Sequence, residues 1–218
     1  MKTVGKACNM DCKYCFEKDK HVVQNNWTPT LLEELINRLK NSAGIVFHGG
    51  EPLITGKRRF CQLLDVVRKY YPQKITSVKL QTNGTLIDEE WITILFDTYA
   101  DLSIELAMSL DGTERMNNLR VDKRGENTFK IVRNAFELLG QRNISSGMLS
   151  VISKNSLALH KDYIDFISSI ADRADFKHIA TDKRTPIEIL QLLTQKVLFL
   201  HQLLSRRYFE SMRLSILG

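Results

Sequence analysis

Short β-branched runs alternate with longer amphipathic stretches along most of the chain, and this rhythm restricts the fold more than any other feature. The run Ile45-Val46-Phe47 stops at Gly49-Gly50. Phe60, Leu63, Leu64, Val67 and Tyr70 then fall on one face of a helix from Arg59 to Tyr71. Ile75 to Leu80 alternates like a strand and ends at Asn83-Gly84, after which Asp88 is a suitable N-cap for a helix through Tyr99. Ser103 to Leu110 reads as a strand closed by Asp111-Gly112, and Thr128 to Leu139 as a helix. Gly147 to Ile152 is a further strand, Leu157 to Ile170 a helix, and Phe176 to Ala180 a short strand. From Pro186 to about Phe209 the pattern is helical, with the proline tolerated in the first turn. Strand and helix units recurring at about 30 residues imply βαβ crossovers and a parallel sheet.

Composition narrows the function classes. Hydrophobic residues at 43% and charged residues at 26% are ordinary for a globular chain. No run approaches the roughly 18 apolar residues of a transmembrane helix, so no membrane partner is expected. Met1 to Phe16 is polar and broken by cysteines, unlike a secretory signal, which points to a cytoplasmic protein. The net charge of +6 is modest. Its densest run, Lys57-Arg58-Arg59, opens an amphipathic helix and lacks interleaved aromatics, so it reads as a solvated face and nucleic acid is not the expected partner.

In parallel α/β folds, ligands meet the carboxyl ends of the strands. His48-Gly49-Gly50-Glu51, Thr82-Asn83-Gly84 and Ser109-Leu110-Asp111-Gly112 each follow a strand, and together they mark a site. The four cysteines add chemistry to it. Cys8, Cys12 and Cys15 form a C-x3-C-x2-C loop, whereas a disulfide scaffold would spread its cysteines. A structural zinc would need a fourth ligand, from His21 or Cys61. Cys61 lies in the apolar pattern of a helix and reads as a core residue, and His21 lies in a polar stretch and reads as surface. A cubane iron–sulfur cluster normally takes four cysteines, so three leave one iron with an open position for a ligand.

The loop, with aromatic Tyr14 before its last cysteine, resembles the signature of the radical S-adenosylmethionine (SAM) superfamily. His48-Gly49-Gly50-Glu51-Pro52-Leu53 is similar to that superfamily's glycine-glycine-glutamate-proline motif. Gln81-Thr82-Asn83-Gly84-Thr85-Leu86 and Ser109-Leu110-Asp111-Gly112 resemble the anaerobic sulfatase maturases and related peptide-modifying enzymes, as do Arg120 and the segment Gly125 to Phe129. The resemblance covers about residues 1–155 at the level of motifs and implies a partial (β/α)6 TIM-type barrel with parallel strands; a core over 1–184 is expected, and the helical pattern beyond it gives a C-terminal helical segment over 185–218. It implies a [4Fe-4S] cluster on Cys8, Cys12 and Cys15, with SAM bound to the open iron. An electron from the cluster then cleaves SAM to a 5′-deoxyadenosyl radical that abstracts hydrogen from a peptide or protein side chain.

Residue chemistry fits those roles. Glu51, an acceptor when ionised, suits the cationic amine of the methionine part, and Gly49 and Gly50 allow close backbone approach. Ser109 and Arg120 match SAM-contacting positions, an arginine fork being suited to the carboxylate, and the backbone at Tyr14 would lie near the adenine. Asn83 and Gln81 line the pocket or cap their strand, Asp111 orients the Ser109 loop, and Asp11 and Lys13 face solvent. An external one-electron donor is an implied partner.

The chain also departs from the maturases. Only seven residues precede Cys8, so Lys2 to Lys6 make at most a curtailed first strand. No cysteine follows Cys61, so the maturases' auxiliary clusters are not expected, and His48 stands where they more often carry glutamine. The alternatives are therefore a truncated or partner-dependent, non-catalytic cluster protein, and a radical SAM enzyme acting on RNA.

Overall fold

The computed structural model describes residues 1–15, 17, 27–152, 158–170 and 174–181. Their five strands are β1 (Ala43–Phe47), β2 (Ile75–Thr82), β3 (Glu105–Ser109), β4 (Ser146–Ile152) and β5 (Ala174–Thr181). They lie in chain order in one sheet, and every neighbouring pair is parallel. Sequential order without reversal is the winding of a (β/α) barrel, whereas a doubly wound sheet reverses about its first strand. The described sheet is thus an arc of a TIM-type barrel.

Helix α1 (Pro29–Arg38) precedes β1, and the helices between the strands are α2 (Lys57–Tyr70), α3 (Glu89–Thr93), α4 (Phe129–Gln141) and α5 (His160–Ile170). Apolar stripes at helical spacing bring Leu63, Leu64 and Val67 of α2 and Ala135 and Leu139 of α4 onto the sheet. Phe60 stands between Phe47 of β1 and Trp91 of α3, with ring centroids at 5.0 and 5.5 Å. Each buried aromatic of that size adds about 1.5–3 kcal/mol of transfer free energy. Along β2, Val78 and Leu80 turn inward while Lys79 and Gln81 stay exposed, as a two-residue period requires.

Three expectations change. Thr3 to Lys6 form turns rather than a strand. Met1 lies beside β1, its N-terminal ammonium donating to Val46 O at 2.5 Å and its carbonyl accepting from His48 N at 3.0 Å. The helix after Asp88 is not continuous: α3 widens into a π turn over Ile94–Thr98 and ends in a 3-10 turn. The wider turn places Tyr99 against α2, where its hydroxyl donates to Asp65 Oδ1 at 2.7 Å and Arg68 lies over its ring. Helix α1 was absent from the sequence pattern. Its signals are nonetheless local, with Thr28 as N-cap, Pro29 in the first turn, and Leu32 and Ile36 four apart and buried. The start of the helix expected from Leu157, and the whole helix from Pro186, lie outside the described residues.

Candidate cluster and SAM site

Parallel strands gather the marked segments at one end of the sheet. Above β1, Gly49 (φ 83°) and Gly50 (φ 58°) adopt left-handed conformations. A Cβ on Gly50 would lie 2.2 Å from the Ala7 carbonyl oxygen, and one on Gly49 would strike the Lys2 side chain. The close approach these glycines permit is therefore to the arm that leads into Cys8. Glu51 N donates to Ala7 O at 2.8 Å and completes that seam.

Glu51 is held by the protein's own donors. Its side chain is fully buried. Oε1 accepts from Leu53 N at 3.0 Å and from the Thr82 hydroxyl at 2.7 Å, and Oε2 accepts from Asn83 N at 2.7 Å. Burial pushes its pKa up, while those three donors and Arg120 pull it down. A buried carboxylate must be matched by donors, and here the protein supplies them. Glu51 ties the end of β2 to the loop after β1 instead of presenting its charge outward.

Asn83 also turns toward the protein. Its amide nitrogen donates to Asn9 Oδ1 at 2.8 Å and lies 3.7 Å from Cys8 Sγ, and its oxygen accepts from Thr85 N and Oγ1. Gln81 is exposed on the face opposite the core. Ser109 ends β3, partly exposed. Asp11 and Lys13 are well exposed and 3.9 Å apart, as expected of solvent-facing residues.

The cysteine loop is clamped by backbone. Asp11 N donates to Val121 O at 2.7 Å and Lys13 N to Leu119 O at 2.8 Å, while Met10 and Asp122 form an antiparallel bridge. This brings Arg120 beside the loop. Arg120 is buried, unlike its exposed neighbours Arg115 and Arg124. Its Nη1 donates to the Tyr14 hydroxyl at 3.0 Å, and its Nε is buried without a protein partner. The Tyr14 hydroxyl donates in turn to Asp111 Oδ2 at 2.6 Å. Burial drives the Tyr14 phenol far above its ordinary range, so it stays protonated and able to donate.

Cys8, Cys12 and Cys15 are free, partly buried thiols in one electrostatic neighbourhood, and Cys61 lies apart on α2, half-buried at the rim of the core. Burial raises the Cys8 and Cys12 pKa values; Met10 N donates to Cys8 Sγ at 3.4 Å, and Arg120 favours the Cys12 thiolate. Among the described residues no three Cys, His, Asp or Glu side chains form a site for a metal ion. Around one zinc, thiolates sit about 2.3 Å from the metal and crowd together; a cubane cluster spreads its ligands, one per iron. Three half-buried thiols beside a buried guanidinium suit the cluster. The unanswered Nε of Arg120 suits an anionic group such as the SAM carboxylate. His21 lies outside the described residues.

A barrel-type parallel sheet carrying three clustered cysteines at its strand ends is the layout of cluster-dependent radical enzymes. The chain belongs to the radical SAM superfamily, whose family profile it matches over residues 3–173. Its cofactors are accordingly SAM and a [4Fe-4S] cluster. The chain is 31% identical over 169 residues to the serine-type anaerobic sulfatase-maturating enzyme of Klebsiella aerogenes, covering 73% of this chain and 40% of that protein. It is 29% identical to the cysteine-type enzyme of Clostridium perfringens (strain 13 / Type A), covering 72% and 44%. The solved structure of native anSMEcpe with bound AdoMet and Cp18Cys peptide superposes with a TM-score of 0.69 at 29% identity, over 83% of this chain and 49% of that one. Streptococcus suis SuiB bound to precursor peptide SuiA shares the fold, with a TM-score of 0.60 at 18% identity over 92% and 45%. The chain spans about half the length of these relatives or less. Sequence reasoning missed Asn9, whose partner Asn83 lies 74 residues away, and Asn117, and it marked Thr82 without its bond to Glu51.

Proposed function

We propose that this chain is the catalytic core of a radical SAM enzyme that removes a hydrogen atom from a peptide or protein side chain, as a sulfatase maturase would. The observation that carries it is the three-cysteine loop clamped against buried Arg120, whose Nε has no protein partner. When bound, the cluster supplies the electron that splits the SAM sulfonium, and SAM supplies the hydrogen-abstracting fragment. Cys8, Cys12 and Cys15 hold the cluster, Arg120 orients the SAM carboxylate, and Ser109 lies at the adjoining strand end. Tyr14 contributes its backbone beside the adenine, Gly49 and Gly50 admit the arm that carries Cys8, and Glu51 and Asn83 hold these loops in register. Peptide substrates are favoured because sulfatase maturases are among the relatives the chain matches and a solved neighbour carries a bound peptide.

An RNA substrate gains no support from the basic run. Lys57 pairs with Asp88 and Glu90 at 2.8 and 2.5 Å, and Arg59 donates to Trp27 O at 3.0 Å. No helix among the described residues is long and apolar enough to cross a membrane. The test is anaerobic reconstitution followed by a strong reductant, SAM, and peptides carrying a sulfatase-type serine or cysteine. Release of 5′-deoxyadenosine with loss of two hydrogens from the peptide is expected. An intact cluster that leaves SAM uncleaved defeats the proposal, and SAM cleavage with no peptide change defeats the substrate assignment.

A further inference from the structure

Tyr14, Asp111 and Arg120 meet in an arrangement that their types do not require. Asp111 and Arg120 are both buried and of opposite charge, and they act on each other electrostatically. Buried arginine and carboxylate groups ordinarily close on each other as a two-pronged pair. Here the Tyr14 hydroxyl stands between them, donating to Asp111 Oδ2 at 2.6 Å and accepting from Arg120 Nη1 at 3.0 Å. The other carboxylate oxygen accepts from Val151 N at 3.0 Å, and Asp111 N donates to Asn117 Oδ1 at 3.2 Å. Both oxygens of Asp111 are thus held by protein donors, while Arg120 keeps its buried Nε unmatched. An unmatched buried donor is unfavourable, and a ligand acceptor relieves it.

We propose that Tyr14 and Asp111 are positioning residues: the phenol keeps the Asp111 carboxylate off the Arg120 fork, leaving the fork open for the carboxylate of SAM. The proposal rests on Arg120 as a SAM contact. Without the phenolic oxygen, the carboxylate closes on the guanidinium and competes with the ligand. Asp111 then becomes an inhibitor of the site it helps to build, and removing its charge reopens the fork.

The test compares reconstituted wild-type protein with Tyr14→Phe and with the double variant Tyr14→Phe/Asp111→Asn. Iron and sulfide are counted, and SAM is titrated against the electron paramagnetic resonance signal of the reduced cluster. Tyr14→Phe is expected to keep its iron but to need about tenfold more SAM, the loss of roughly one charge-assisted hydrogen bond. The double variant is expected to recover most of that affinity. A merely structural role predicts the reverse, with two lesions worse than one. Unchanged SAM affinity in Tyr14→Phe, lost iron in that variant, or a double variant as weak as the single each overturn the proposal. Wild-type protein that carries its cluster but shows no SAM-dependent signal defeats the proposed function instead.

Discussion

Glu51 shows how one side chain can have a familiar motif position and an unexpected task. Its carboxylate accepts from Leu53 N, the Thr82 hydroxyl and Asn83 N, and it has no exposed surface. Alanine there would leave three buried donors unmatched. Glu51→Ala is therefore expected to lower the stability of the cluster-free chain by about 3 kcal/mol or more, read as a reduced urea midpoint. An unchanged midpoint would show that Glu51 is held for a ligand and not for the fold. At this scale the sequence marks the residue but not its direction. Two of the three donors to Glu51 come from the end of β2, 31 and 32 residues away, and only folding brings them to it.

At the scale of elements, the strap over residues 119–127 decides where the cysteine loop sits. Asp122 shapes its turn by accepting from Arg124 N at 2.8 Å and Glu126 N at 2.9 Å. Those donors, Glu126 N first, hold its carboxyl below the usual aspartate range. Because the folded value is depressed, the stabilisation is complete above the ordinary pKa of about 4 and is lost as pH falls through the folded value. Asp122→Asn is thus expected to be less stable than wild type at pH 6, with the gap closing toward pH 3 in paired denaturation curves. A gap that stays constant with pH would remove the carboxylate from the account. The strands and α2 were legible in sequence because their spacing is local. The break in the helix after Asp88 was not, because the π turn answers to Asp65 and Arg68 on another helix.

At the scale of the whole molecule, the five parallel strands of the described residues follow chain order and collect the special loops at one end, so a ligand bound there would couple to global stability. SAM at 100 times its dissociation constant is expected to add about 2.7 kcal/mol to the unfolding free energy of the cluster-loaded chain. Anaerobic calorimetry checks this, and a midpoint that ignores SAM concentration would contradict a SAM site formed only by the folded state.

The sequence by itself determined the parallel α/β arrangement, the three-cysteine loop and the strand ends that carry the site. Each of these depends on spacing over a few residues, which a linear chain displays. Tertiary structure alone decided that Glu51 and Asn83 face the protein, that Gly50 admits Ala7, and that Tyr14 separates Asp111 from Arg120. Tyr14 meets partners 97 and 106 residues away, and no local periodicity encodes which buried charges will find each other at that distance. Burial then makes those pairings matter, because a charge removed from water must find its counterpart within the fold.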